Sequence, residues 1–186
     1  MAGHRLASLS PMKPLASIAM GLVIVVLVAR YDGYDALPDP LGWLLVLWGV
    51  RRLADPTLLL ALAGAALVVA CAVWLPSTQD ALDRGDPSLW WAATLPQVIF
   101  CVLLCHRLAA LARGARDAKA AAWLRTTMVL NVVLAVAPVL VFAAGSDDLL
   151  PAIYAAAVAV MLLLIVLLFA YANRAWAPDS SPVRPG

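Results

Sequence analysis

Six apolar runs, near residues 14–30, 40–53, 57–76, 88–107, 121–144 and 149–172, occupy most of a 186-residue chain, with short polar stretches between them. Runs of this kind decide the solvent before they decide the fold. Charged residues make up 13% of the chain and hydrophobic residues 65%, where a soluble domain carries about 25% charged. In hydrocarbon every backbone N–H and C=O must pair within the structure, and a single continuous run achieves that as a helix. The expected fold is an all-α integral membrane protein: one membrane domain over 1–186, a six-transmembrane-helix bundle without a soluble domain. A secretory leader is the competing reading of the first run, but Leu27 and Ala29 before Arg30 make a poor cleavage site. It is read as an uncleaved first span.

The loops orient the bundle. If the spans alternate from a cytoplasmic N-terminus, one side collects Arg5, Lys13, Arg51, Arg52, Arg107, Arg113, Arg116, Lys119, Arg125, Arg174 and Arg184, and the other only Arg30 and Arg84. Such asymmetry places the basic side in the cytoplasm, with 1–13 and 173–186 as cytoplasmic tails. Arg predominates over Lys, Ala and Leu abound and Glu is absent, a bias typical of GC-rich bacterial genomes, so the expected location is a bacterial inner membrane. Trp43, Trp74, Trp90 and Trp91 are expected near the outer interface, and Trp48, Trp123 and Trp176 near the inner one. The net charge of +2, with no tight basic cluster, excludes nucleic acid as a partner. Membrane lipids are the expected surroundings.

The stretch DALPDPLGWLLVLWGVRRL, Asp35 to Leu53, holds the most information. Asp-Pro stands before an apolar run at Asp39, Asp55 and Asp86. Asp accepts hydrogen bonds from the first N–H groups of a helix, and Pro fits the next position, where no N–H is needed. All three are read as structural caps, with Asp117 and Asp147 or Asp148 as variants. The second run is short, however: fourteen residues from Pro40 to Leu53 reach roughly 21 Å against a core of about 30 Å. Asp39 drawn below the headgroups would need a partner, and Arg30 or Arg84 is the candidate. An acid at that depth would also be a candidate ligand site.

Gln97 and Asn131 are the other ligand candidates, each near a proline, Pro96 or Pro138. Buried amides in membranes are expected to bond across helices before they bind substrates. Cys71, Cys101 and Cys105 lie in apolar runs and are read as packing residues. Cys101, Cys105 and His106 lack a common face and a fourth ligand, so no metal or other cofactor is expected. Small residues at Ala61, Gly64, Ala65 and Ala66, and at Ala152, Ala155, Ala156 and Ala159, suit close helix contacts, within the bundle or with another protein. "DAL" before the second and fourth spans, each of which ends in a basic residue and "RLA", suggests three parallel helical hairpins. No nucleophile–base pair or glycine-rich phosphate loop is present, so an enzyme is not expected.

Asp35, Leu37, Pro38, Asp39, Gly42 and Trp43, followed by Arg51 and Arg52, form a pattern that resembles small bacterial multi-pass membrane proteins with an Asp-x-Leu-Pro-Asp-x-x-Gly-aromatic motif. The resemblance implies a bacterial membrane protein and brings no activity with it. The expected function is that of a non-catalytic accessory or scaffold subunit acting through helix contacts, with a membrane-protein partner or a second copy of itself. The alternative is a small solute transporter or channel with an outer-side site around Asp39.

Overall fold

The computed structural model describes residues 13–27, 30–31, 34–35, 39–85, 87–145 and 147–178, without the side chains of 30–31, 34–35, 76, 80–81, 83, 87 and 147. Its helices are α1 (Pro14–Val26), α2 (Asp39–Val50), α3 (Thr57–Val73), a short α4 (Pro76–Asp83), α5 (Pro87–Gly114), α6 (Ala118–Ala144) and α7 (Leu150–Tyr171). A two-residue antiparallel pairing of β1 (Arg30–Tyr31) with β2 (Tyr34–Asp35) lies between α1 and α2. A 3-10 turn, Asp147–Leu149, leads into α7.

Among the described residues three helices, rather than the expected six, are long and apolar enough to cross a membrane: Ser88–Gly114, Ala118–Ala144 and Leu150–Tyr171. α1, α2 and α3 are apolar but have only 13, 12 and 17 residues. At 1.5 Å per residue these reach about 20, 18 and 26 Å. Their ends explain the shortfall. Leu27 leaves the helical region with ψ 90°, and the backbone of Arg30 is taken into β1. Val50 is followed by a turn in which Arg52 N–H bonds the Gly49 carbonyl and Leu53 N–H the Val50 carbonyl. Conversely, α5 runs on past its expected end at 107 to Gly114.

The packing order closes on itself: α1 lies on α2, α2 on α3, α3 on α5, α5 on α6, α6 on α7, and α7 returns to α1. α4 touches both α3 and α5 at one end. The ring runs on without setting hairpins apart, since α5 covers α6 as extensively as α1 covers α2. Its interior is filled by Leu15, Ile18, Val46, Leu59, Leu104 and Leu164, among others. Trp43 belongs to this core and meets Phe100 edge to face, ring centroids 5.6 Å apart. It is therefore a packing residue rather than the interfacial tryptophan expected. Cys101 and Cys105 are buried in the same core, and the Cys101 sulfur lies 4.0 Å from that of Met161.

The tightest contact joins α1 and α2, which run antiparallel. A methyl carbon added at Gly21 would lie 2.5 Å from the Gly42 carbonyl oxygen, and one at Gly42 would lie 2.7 Å from that of Gly21. One added at Gly49 would lie 2.7 Å from the Pro14 carbonyl oxygen. Ser17 Oγ also donates across the pair to the Leu45 carbonyl, at 3.1 Å. Backbones this close exclude any side chain, as in small-residue helix pairs of membranes. The stripes expected to do this turn elsewhere. Ala61, Ala65, Ala152, Ala155, Ala156 and Ala159 are exposed, and a carbon added at Gly64 would meet nothing within 4 Å; of the two stripes Ala66 alone is buried in the core.

The capping expectations divide. Asp117 is the N-cap of α6, its carboxylate accepting from Ala120 N–H at 3.1 Å. Asp55 is not a cap: Pro56 holds that position in α3, without a side-chain bond, and Asp55 sits in the left-handed region at φ 47°. Leu149, not Asp147 or Asp148, is the N-cap of α7. Asp39 stands inside the first turn of α2, where a carboxylate suits the positive end of the helix dipole. Asp86 lies outside the described residues. α5 ends in a Schellman turn, with Asp117 N–H on the Ala112 carbonyl, Arg116 N–H on that of Arg113, and Arg116 left-handed at φ 62°.

Candidate functional site

Two adjoining cavities lie in the half of the ring nearest the β1–β2 pairing. The larger, about 260 Å³, is bounded by the ends of α1 and α5–α7 that meet there, with Leu95, Val98, Leu134 and Ile153 among its apolar walls. Its polar lining is Trp91, Thr94, Gln97, Asn131 and Tyr154. The smaller, about 110 Å³, lies between α2, α3 and α5 and is lined by Asp39, Trp43, Trp90, Thr94 and Gln97 together with small apolar residues of α3. Thr94 and Gln97, one helical turn apart on α5, line both.

Two prolines shape the larger cavity. Pro138 has no N–H to give the carbonyl four residues earlier, and that residue, Leu134, lines the cavity. Beside it the Trp91 indole Nε1–H donates to the Ala135 carbonyl at 2.8 Å, tying α5 to α6. Thr94 Oγ1 donates in turn to the Trp91 carbonyl at 2.7 Å. Pro96 interrupts α5 in the same way immediately before Gln97.

Three of the five ligand candidates thus line one composite site: Gln97 and Asn131 share the larger cavity, and Asp39 meets Gln97 across the smaller. Asp39 is half-buried, with its Oδ1 fully so. Arg84 is exposed in the turn after α4, and the Arg30 side chain lies outside the described residues. The amides do not bond across helices as expected. Asn131 Nδ2 donates to the Thr127 carbonyl of its own helix at 2.9 Å. Gln97 makes no side-chain hydrogen bond among the described residues. An apolar cavity with a few convergent polar groups is the usual form of a small-molecule site. This one offers an uncommitted amide, hydroxyl groups and indole faces, and among the described residues no cluster of metal ligands.

A second region, at the opposite end, went unread in the sequence. The C-terminal tail folds back on the α5–α6 turn. Trp176 Nε1–H donates to Asp117 Oδ2 at 3.2 Å, its ring meets Tyr171 at 5.6 Å, and Arg174 Nη1 lies 3.9 Å from the same carboxylate oxygen. The Ala120 N–H above all, then the Trp176 indole and the Arg174 guanidinium, holds the Asp117 carboxyl below the usual range. Beside this clasp Arg107 Nη1 donates to the Ala54 carbonyl at 3.4 Å and to that of Asp55. A wide groove opens there, about 620 Å³, between the start of α3, the end of α5 and the tail. Only Trp176, an aromatic between two alanines in a polar tail, hinted at it in the sequence. No protein-family model matches the chain, and neither a curated protein nor a solved structure is significantly similar to it.

Proposed function

We propose that this chain is a multi-pass bacterial inner-membrane protein, with all six apolar helices in the bilayer and both termini cytoplasmic, which binds a small uncharged molecule in the cavity shared by Gln97 and Asn131. The observation that carries the reading is Gln97, an amide without a side-chain hydrogen bond among the described residues, on the wall of a mostly apolar cavity of about 260 Å³. Gln97 is half-buried, and a ligand carrying one donor or acceptor would give its amide the partner that the described residues do not. The short first three helices fit a bilayer that thins locally, or one whose interface the β1–β2 segment enters. The ligand class is a mostly apolar molecule with a hydrogen-bonding head, either held as a bound component or passed to the outer side, where Asp39 borders the adjoining cavity.

Native mass spectrometry of the chain after gentle extraction from its own membrane tests this. A small-molecule adduct is expected that is lost in Gln97→Leu, while the variant keeps the thermal stability of the parent. An adduct retained by Gln97→Leu, or none in the unaltered chain, overturns the reading. The accessory-subunit reading stays as the second, favoured by the exposed small-residue face of α7, Ala152, Ala155, Ala156 and Ala159. A stoichiometric protein partner in the same spectra would support it.

A further inference from the structure

The groove at the tail end is independent of the cavity around Gln97, and it has a distinct chemistry. Leu53 and Leu111 form its accessible apolar wall above the buried Leu59, Leu104 and Leu108, and its mouth carries Arg107, His106 and Asp55. At about 620 Å³ it falls within the range of pockets that enclose a ligand, roughly 300–1,000 Å³. The two carbonyl contacts from one nitrogen fix the Arg107 guanidinium at that mouth. A guanidinium carries five N–H donors, so most remain available. No carboxylate among the described residues lies within ion-pair distance of it. An oriented, un-neutralised guanidinium above a leucine-lined groove is complementary to an anionic amphiphile.

We infer that this groove seats one acyl chain of an anionic phospholipid, with the lipid phosphate on Arg107. Basic recesses between helices on the cytoplasmic side are where such headgroups bind. The Asp55 side chain at the same mouth selects further: it opposes a bare phosphate dianion but accepts from the hydroxyls of a phosphatidylglycerol head. Trp176 and Pro178 close one side, so the lipid would rest against the tail that Asp117 clasps. The inference rests on the membrane reading but not on any ligand at Gln97. Resistance of the chain to alkaline carbonate extraction checks the membrane reading separately.

The test uses the full chain, purified in a neutral detergent and offered equal amounts of phosphatidylglycerol and phosphatidylcholine with identical acyl chains, with adducts counted by native mass spectrometry. The unaltered chain should prefer phosphatidylglycerol, and Arg107→Gln should lower the ratio about fivefold, the effect of one cation near a membrane surface. Arg107→Lys should restore much of it. Since Arg107 also steadies the turn before α3, Ala110→Trp provides a second arm: it leaves the guanidinium in place, fills the groove, and should remove the adduct. Equal retention of the two lipids, displacement by inorganic phosphate, or an adduct that survives Ala110→Trp would overturn the inference.

Discussion

The α1–α2 pair and the α5–α7 group are built from the same few residue types and arrive at opposite packing. In α1 and α2 the glycines lie in the contact, and backbone meets backbone at Gly21, Gly42 and Gly49. In α5–α7 the contacts are made by side chains, an indole-to-carbonyl bond spans one of them, and prolines interrupt two of the helices. The first arrangement brings backbone against backbone at three positions; the second surrounds a cavity of about 260 Å³. Short helices in backbone contact make a close-packed wall, and the cavity lies where the ends of the longer helices meet, beside Pro138. The outer faces differ less: Val132, Val133, Val136 and Leu140 of α6 point outward, as an apolar solvent allows.

The largest effect should come from placing the same side chain in each region. Gly42→Leu must displace a carbonyl oxygen 2.7 Å from its first carbon. Overpacking costs typically 1–3 kcal/mol and more when backbone must move, so aggregated or absent protein is expected by size-exclusion chromatography. Ala157→Leu, which points a larger group at the α5–α7 cavity, should stay within about 0.5 kcal/mol of the parent while excluding ligand. Equal damage from both would end the contrast between wall and cavity. Next in size is Trp91→Phe, which removes the donor to the Ala135 carbonyl and should cost about 1 kcal/mol in thermal unfolding. An unchanged melting temperature would mean that α5 and α6 are held by apolar packing alone.

The smallest effect concerns the opposite end. Asp117→Asn keeps an oxygen for the Ala120 N–H, since Asn caps about as well as Asp, but loses the charge near Arg174. The start of α6 should therefore be kept while residues 172–178 exchange amide hydrogens faster. Lowering the pH should do the same to the native chain. The Asp117 pKa is lowered in the folded protein, so the stability it contributes is complete above the ordinary carboxylate pKa, about 3.9, and is lost as pH falls through the lowered folded value. Faster exchange of 172–178 already at neutral pH would mean that the carboxylate does not hold the tail.

Much of the fold was legible because its signals are local. Apolar runs marked six helices to within a few residues, except that α5 runs on to Gly114 and the polar α4 had no run to mark it, and Asp117 before "AKAAAW" was readable as a cap from residue type alone. Asp55 misled for a physical reason: Asp-Pro favours a cap, yet here the turn from α2 needed a left-handed residue, and its carbonyl was drawn to Arg107. Helix length misled too, because hydropathy does not register where a chain leaves the helix for a turn of apolar residues, as at Leu27. Gln97 and Asn131 were recognisable as polar groups in apolar runs. That they line one cavity was not, since that depends on how α5 and α6 are rotated about their axes.

Composition and local pattern by themselves determined that this protein is helical and apolar, and they marked the chain ends and turns that carry most of the basic residues, because hydrocarbon burial and helix capping act over a few neighbouring residues. Only the tertiary structure decided that Gly21 faces Gly42 while Gly64 faces no neighbour, that Gln97 sits between two cavities, and that Trp176 returns to Asp117. Each of these joins residues far apart in the chain, and which face of a helix meets its neighbour is settled by packing all six helices of the ring at once.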